Sequence, residues 1–223
     1  GYGVDDHSIS VDKSSSNPNG RAWNKDVLSL AQSKAPIGLE IDTFLNPSAF
    51  YRQNIIESGA NFARLHANPY SLLKDADAME ELRKSQLAIG YRLQFPQIQI
   101  PSNLVAGQTA NIEYMVLNAG AGYGFVDFQP VFELQDQSGH VISQVRDNNF
   151  TLSSLSPTYG NNESQATTKA QVHKVSLFIP SNLTNHSGYR LVLTLQNAMG
   201  TSRINLPYSK YADGQGVYVL KTY

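Results

Sequence analysis

The spacing of apolar residues changes period once along this chain, near Tyr91, and that change constrains the fold more than any other feature. Before it, short apolar runs alternate with stretches whose apolar residues recur at helical spacing; after it, the repeat falls to two and helical signals disappear. A period of two belongs to strands with one buried face. It is plain in Ala110, Ile112, Tyr114 and Val116, and again in Tyr189, Leu191, Leu193 and Leu195. Alternating strands and helices build parallel βαβ units, whereas serial short strands separated by turn residues build antiparallel sheets. The chain therefore reads as α/β followed by all-β, divided into residues 1–92 and 93–223.

Three βα units are legible in the first part. Tyr2 to Val4 reads as the end of a strand; a polar loop through Ser14, Asn17, Pro18 and Gly20 follows, and Asn24 caps a helix carrying Val27, Leu28, Leu30 and Ala31. Ile37 to Ile41 is the second strand; Asn46 caps and Pro47 opens a helix through Phe50, Ile55 and Ile56, with Gly59 just past its end. Asn61 to Leu65 is the third strand, and Asp75 caps a helix through Met79, Leu82 and Leu87 that stops at Gly90. In the second part, strands are expected at 91–95, 110–116, 131–134, 140–145, 172–179, 189–195, 203–206 and 216–221, with Gly, Pro, Asn and Ser clusters between them. That set has the proportions of an immunoglobulin-like β-sandwich. The glycines of Gly120-Ala121-Gly122-Tyr123-Gly124 lack phosphate-loop spacing and are assigned to a hairpin.

Composition narrows the function classes. Lys and Arg number 17 against 18 Asp and Glu, with no run of like charges, so neither nucleic acid nor an anionic membrane is an expected partner. No stretch approaches the roughly 20 apolar residues of a membrane span. The start, GYGVDDHSIS, lacks the regions of a signal peptide, so a secreted form has lost its signal or carries it upstream. Cysteine is absent, which excludes disulfides and thiolate metal sites. Four sequons, at Asn149, Asn162, Asn182 and Asn185, point to an extracellular glycoprotein, while Asn46-Pro47-Ser48 is excluded by its proline.

In a parallel α/β sheet, reactive groups gather at the carboxyl edge, where strands give way to loops. Each unit places polar groups there: Asp5, Asp6 and His7 after the first strand, Glu40 and Asp42 around the end of the second, and His66 after the third. Converging carboxylates suit glycosidic cleavage, because one protonates the leaving oxygen while the other attacks the anomeric carbon or activates water. Glu40 is the sharpest candidate, since an unpaired carboxylate within an apolar strand is costly. The alternative is that Glu40 pairs with Arg64 on the adjoining strand. Trp23, Tyr51 and Tyr70 are candidate stacking platforms for a sugar ring, with core packing as their competing role. Asp5, Asp6 and His7 carry donors suited to a divalent cation. Adjacent residues on an extended segment point apart, so no metal is expected there, and no cofactor elsewhere.

The order of elements carries a resemblance. A βαβαβα segment, a helix ending in Gly90-Tyr91-Arg92-Leu93, a sandwich opening with Pro101-Ser102-Asn103-Leu104-Val105-Ala106-Gly107 and a first hairpin closed by Asn118-Ala119-Gly120 resemble an uncharacterised family. In that family, labelled a domain of unknown function, a glycoside-hydrolase-like TIM barrel is joined to a C-terminal β-sandwich. The resemblance implies that the three units are the last three of a (β/α)8-like barrel, with Glu40 at the end of the seventh strand, the place of the nucleophile in the large clan of retaining glycoside hydrolases. The acid/base carboxylate of that clan lies on the fourth strand, outside this chain. Two expectations follow: the C-terminal part of a secreted carbohydrate-active protein, partnered by the rest of its barrel, or a non-catalytic extracellular glycoprotein with an adhesion, carbohydrate-binding or assembly role. In the first, Glu40 is the candidate nucleophile with Asp5 or Asp6 as supporting polar groups, and His7, Trp23, His66 and Tyr70 are the candidate sugar contacts.

Overall fold

The computed structural model describes residues 4–6, 32, 34–41, 49–65, 74–160, 163–183, 188–200, 203–206 and 216–223. The chain forms two compact units, each discontinuous in sequence. The first comprises 1–92, 118–125 and 155–169, and the second 93–117, 126–154 and 170–223.

In the first unit, β1 (Val4–Asp6), β2 (Ile37–Ile41) and β3 (Phe62–Leu65) form a parallel sheet in that order. Helix α1 (Ala49–Ser58) joins β2 to β3, and α2 (Ala76–Ala88) follows β3. The sheet buries Ile37 and Leu39 against Ile55 of α1, Ala88 of α2, and Ala60 in the turn before β3. Both helices end as their glycines require: Gly59 and Gly90 adopt φ of 67° and 72°, a left-handed conformation that a side chain disfavours. Asp75 caps α2, its side chain accepting from Ala78 N at 3.0 Å. Small residues, Ala78, Ser85 and Ala88, make the buried stripe of α2, while Leu87 is exposed. The helix expected after Asn24 lies outside the described residues.

The segment 118–125 packs back onto the amino end of these strands. Ala121 N donates to Ala88 O at 2.8 Å, Gly122 N to Gly90 O at 2.9 Å, and Asn61 Nδ2 to Tyr123 O at 2.7 Å. This corrects the hairpin reading of the glycine cluster. The strands Thr109–Asn118 and Phe128–Gln135 lie in different sheets, so the segment between them crosses from one sheet to the other. Neither Gly120 nor Gly122 has a positive φ; close packing is what excludes a side chain, since a Cβ on Gly120 would sit 2.0 Å from Gly90 O.

The second unit is a two-sheet β-sandwich. One sheet has the order β4 (Leu93–Gln99), β5 (Thr109–Asn118), β8 (Gln171–Phe178); the other has the order β10 (Val217–Thr222), β9 (Arg190–Asn197), β6 (Phe128–Gln135), β7 (Val141–Arg146). β5 is antiparallel to β8, β6 to β7 and β9, and β9 to β10. The expected alternation holds on β5, where Ala110, Ile112, Tyr114 and Val116 are buried. On the facing sheet, register sets Pro130 opposite Leu195, Phe132 opposite Leu193 and Leu134 opposite Leu191. Tyr114 joins the two layers, its ring centroid 5.3 Å from that of Phe132 and 5.7 Å from that of Phe95.

Three expectations for this half are corrected. Val192, Thr194 and Gln196 are as buried as the leucines between them, so β9 is covered on both faces. The strand expected at 203–206 reduces to one bridge between Arg203 and Gln196, because β10 already occupies that flank of β9 as far as Thr194. Helical structure does not vanish either. A 3-10 turn spans Leu152–Ser154, and α3 spans Glu163–Thr168, too short and too polar to show a period.

Candidate functional site

The three parallel strands end at Asp6, Ile41 and Leu65, which puts their carboxyl ends along one edge of the sheet. Pairing register sorts the candidate carboxylates by face. Asp6, Leu39 and Ala63 share one row, on the parity that buries Leu39 in the core cluster. Asp5 and Gly38 share the preceding row, on the parity of Glu40. Asp5 and Glu40 therefore belong to one face, one strand and one two-residue step apart. With about 4.8 Å between strands and about 6.6 Å per two residues, their Cα atoms are separated by about 8 Å. Asp6 stands on the opposite parity of the pairing register from Asp5 and Glu40.

Register also gives the competing role of Glu40 a place, because Arg64 stands directly opposite it on β3. His7, Trp23, Asp42, His66 and Tyr70 lie outside the described residues. Of the sequon asparagines, Asn149 and Asn182 are exposed, and Asn162 and Asn185 lie outside the described residues. Among the described residues, no three of His, Asp and Glu gather as a metal site, and no helix is long and apolar enough to cross a membrane.

Two polar networks in the second unit are absent from the sequence reading. In the first, Asp147, which follows β7 and is buried, accepts from the Tyr114 hydroxyl at 2.5 Å and from Asn149 N at 2.9 Å, with His173 Nδ1 at 2.8 Å. The Tyr114 and His173 rings stack at 5.3 Å, and Phe150 closes the other side at 5.6 Å from His173. Burial, reinforced by the hydrogen bond to Asp147, pushes the Tyr114 phenol well above its usual range, so it serves as a neutral donor. The three residues are separated by 33 positions in one interval and have no motif spacing, so only their burial in the fold could identify them.

In the second network, Glu133 of β6 is buried at 1% exposure, and its carboxylate accepts from Gln196 Nε2 at 2.6 Å and Gln135 Nε2 at 2.7 Å. Arg203 stands 3.7 Å away. A detectable signal existed here: Glu133 is a lone carboxylate in an apolar run, the same pattern that singled out Glu40. Amide donors satisfy both oxygens of Glu133, which is what burial of a carboxylate requires.

No family model matches the chain, and no curated protein matches it in sequence. Among solved structures, the chain is similar to a calcium-binding mutant of β-glucuronidase 2 from Bacteroides uniformis, at 16% identity and a TM-score of 0.26, over 52% of this chain and 12% of that one. It is similar as well to the same enzyme covalently bound to cyclophellitol-6-carboxylate aziridine, at 15% identity and a TM-score of 0.24, over 52% of this chain and 12% of that one. The match spans about one eighth of the length of those β-glucuronidase chains.

Proposed function

We propose that this chain is the C-terminal part of a secreted, glycoside-hydrolase-like protein in which the parallel βα units belong to a (β/α)8-like barrel and Glu40 is the catalytic nucleophile. The observation that carries the reading is the position of Glu40. It stands one residue before the carboxyl end of the middle of three consecutive parallel strands, on the same face as Asp5. Carboxyl edges are where (β/α) sheets assemble active sites. As a nucleophile, the Glu40 carboxylate would form a bond to the anomeric carbon while the glycosidic C–O bond breaks. The leaving oxygen would take its proton from an acid on a further strand of the same barrel, and water would then release the sugar. Asp5 would support the developing charge from the neighbouring strand.

The kinetic test is Glu40→Gln in the native protein, assayed on aryl glycosides, with circular dichroism as the check on folding. The substitution keeps shape and removes the charge, so turnover should fall by orders of magnitude while the fold survives. Unchanged turnover would make Glu40 a structural partner of Arg64.

A second reading, a non-catalytic extracellular glycoprotein that binds carbohydrate, is favoured by the exposure of Asn149 and Asn182 at their sequons. Glycopeptide mass spectrometry of native secreted protein should then find a glycan at one or both. Bare asparagines at both positions would remove that support.

A further inference from the structure

Within the second unit, a cleft of about 750 Å3 opens between residues 102–106 and the last residues of β10 with Tyr223. Small-molecule sites commonly have about 300–1,000 Å3, apolar walls and a few placed polar groups. This cleft, open to solvent, falls within that volume range: Leu104, Val105 and the Tyr223 ring line it, and Asn103 and Lys221 supply polar groups. Val105 is a large apolar side chain left 43% exposed there.

Lys221 is the charged group of the cleft, and its surroundings hold it without neutralising it. Its Nζ donates to Pro101 O at 3.2 Å and Ser102 O at 2.5 Å, and stands 4.5 Å from the centroid of the Tyr223 ring. The Tyr223 hydroxyl donates to the same Pro101 carbonyl at 3.0 Å, which fixes the ring. Among the described residues, no carboxylate pairs with Lys221. An ammonium has three N–H groups, and the two carbonyls use two of them. A positioned cation with a donor to spare, above an apolar floor, is complementary to an anion attached to a ring with an apolar face.

We propose that this cleft binds a sugar that carries an acidic group, its anion on Lys221 Nζ, its C–H face against Leu104, Val105 and Tyr223, and a hydroxyl on the Asn103 amide. The proposal rests on the carbohydrate reading of the chain but not on catalysis at Glu40. The test titrates isotopically labelled protein with tri-galacturonic acid and with uncharged maltotriose, following backbone amide signals. The acidic sugar should shift Asn103, Val105 and Lys221 saturably, and maltotriose should bind at least about tenfold more weakly. Lys221→Gln keeps a donor for the Pro101 carbonyl and should weaken the acidic sugar at least about tenfold while leaving maltotriose unchanged. Val105→Asp, at an exposed position, sets a carboxylate in the same cleft as Lys221 and should abolish acidic-sugar binding. Equal responses to the two sugars, or no saturable shift up to about 10 mM, would overturn the proposal. Binding retained in a protein whose Glu40 is inert would uphold this cleft and reject the catalytic reading. An absence of binding alongside active Glu40 would do the reverse.

Discussion

Replacing Gly120 with alanine isolates the contact by which residues 118–125 pack against the βα segment. Gly120 has no positive φ, so alanine meets no backbone penalty there, and a substitution of this kind at an open position ordinarily stabilises by about 0.4–1 kcal/mol. Space is the obstacle. The added Cβ would lie 2.0 Å from Gly90 O and 2.9 Å from both Gly90 C and Tyr91 Cα, all backbone atoms that cannot rotate away. Inserting a methyl group into a packed site costs about 1–3 kcal/mol. The necessary shift also disturbs Ala119 N to Arg92 O at 2.7 Å and Gly122 N to Gly90 O at 2.9 Å. Each such bond contributes about 0.5–1.5 kcal/mol, which brings the expected loss to about 2–5 kcal/mol. Gly160→Ala is the control. It has φ of 82° and nothing within 4 Å of the added atom, so it should lose only the left-handed term of about 1–2 kcal/mol. Urea denaturation followed by circular dichroism compares the two. A Gly120→Ala protein as stable as the parent, or more stable, would refute the close approach.

Three further outcomes are expected. Leu193→Ala, opposite Phe132 in the sandwich core, should lose about 2–5 kcal/mol in the same melts, and a loss under about 0.5 kcal/mol would mean that the β6–β9 register is wrong. Tyr114→Phe leaves buried Asp147 without its hydroxyl donor and should cost about 1–3 kcal/mol; a neutral result would show that the donor is dispensable. Hydrogen bonds from Lys84, then from Arg52, hold the Glu81 carboxyl below its usual value. A depressed folded value contributes stability that is present above the unfolded value and lost as pH falls through the folded one. Glu81→Gln should therefore flatten the acid limb of stability against pH, and an unchanged acid limb would contradict the pairing.

How much of this was legible depended on whether the deciding force was local. Helix caps at Asp75, Gly59 and Gly90, the parallel strands at Ile37–Ile41 and Phe62–Leu65, and the alternation on β5 all follow from residues within a few positions of one another. Features set by distant chain were not legible. Thr194 and Gln196 look like solvent-facing positions until the outer face of β9 is found covered, and glycine at position 120 is equally suited to a turn or to close packing until Gly90 is known to lie against it. The Tyr114, Asp147 and His173 network has no spacing rule, because two separate strands, β5 and β8, and the turn after β7 deliver it. Glu133 and Glu40 show the limit most clearly. Both are lone carboxylates in apolar strands, and sequence reasoning chose one. The fold accounts for Glu133 with two amide donors, and for Glu40 it provides a sheet edge shared with Asp5 and a register partner in Arg64.

Covalent trapping at Glu40 tests the central claim most directly. A 2-deoxy-2-fluoro glycoside with a dinitrophenyl leaving group needs no protonation to depart, so the nucleophile can be labelled whether or not the acid residue is in place. A panel of such sugars, followed by peptide mass mapping, should show a glycosyl adduct on the peptide containing Glu40, and none in Glu40→Gln. An adduct on another carboxylate, or an unmodified Glu40 peptide in protein that turns over the parent aryl glycoside, would contradict the account.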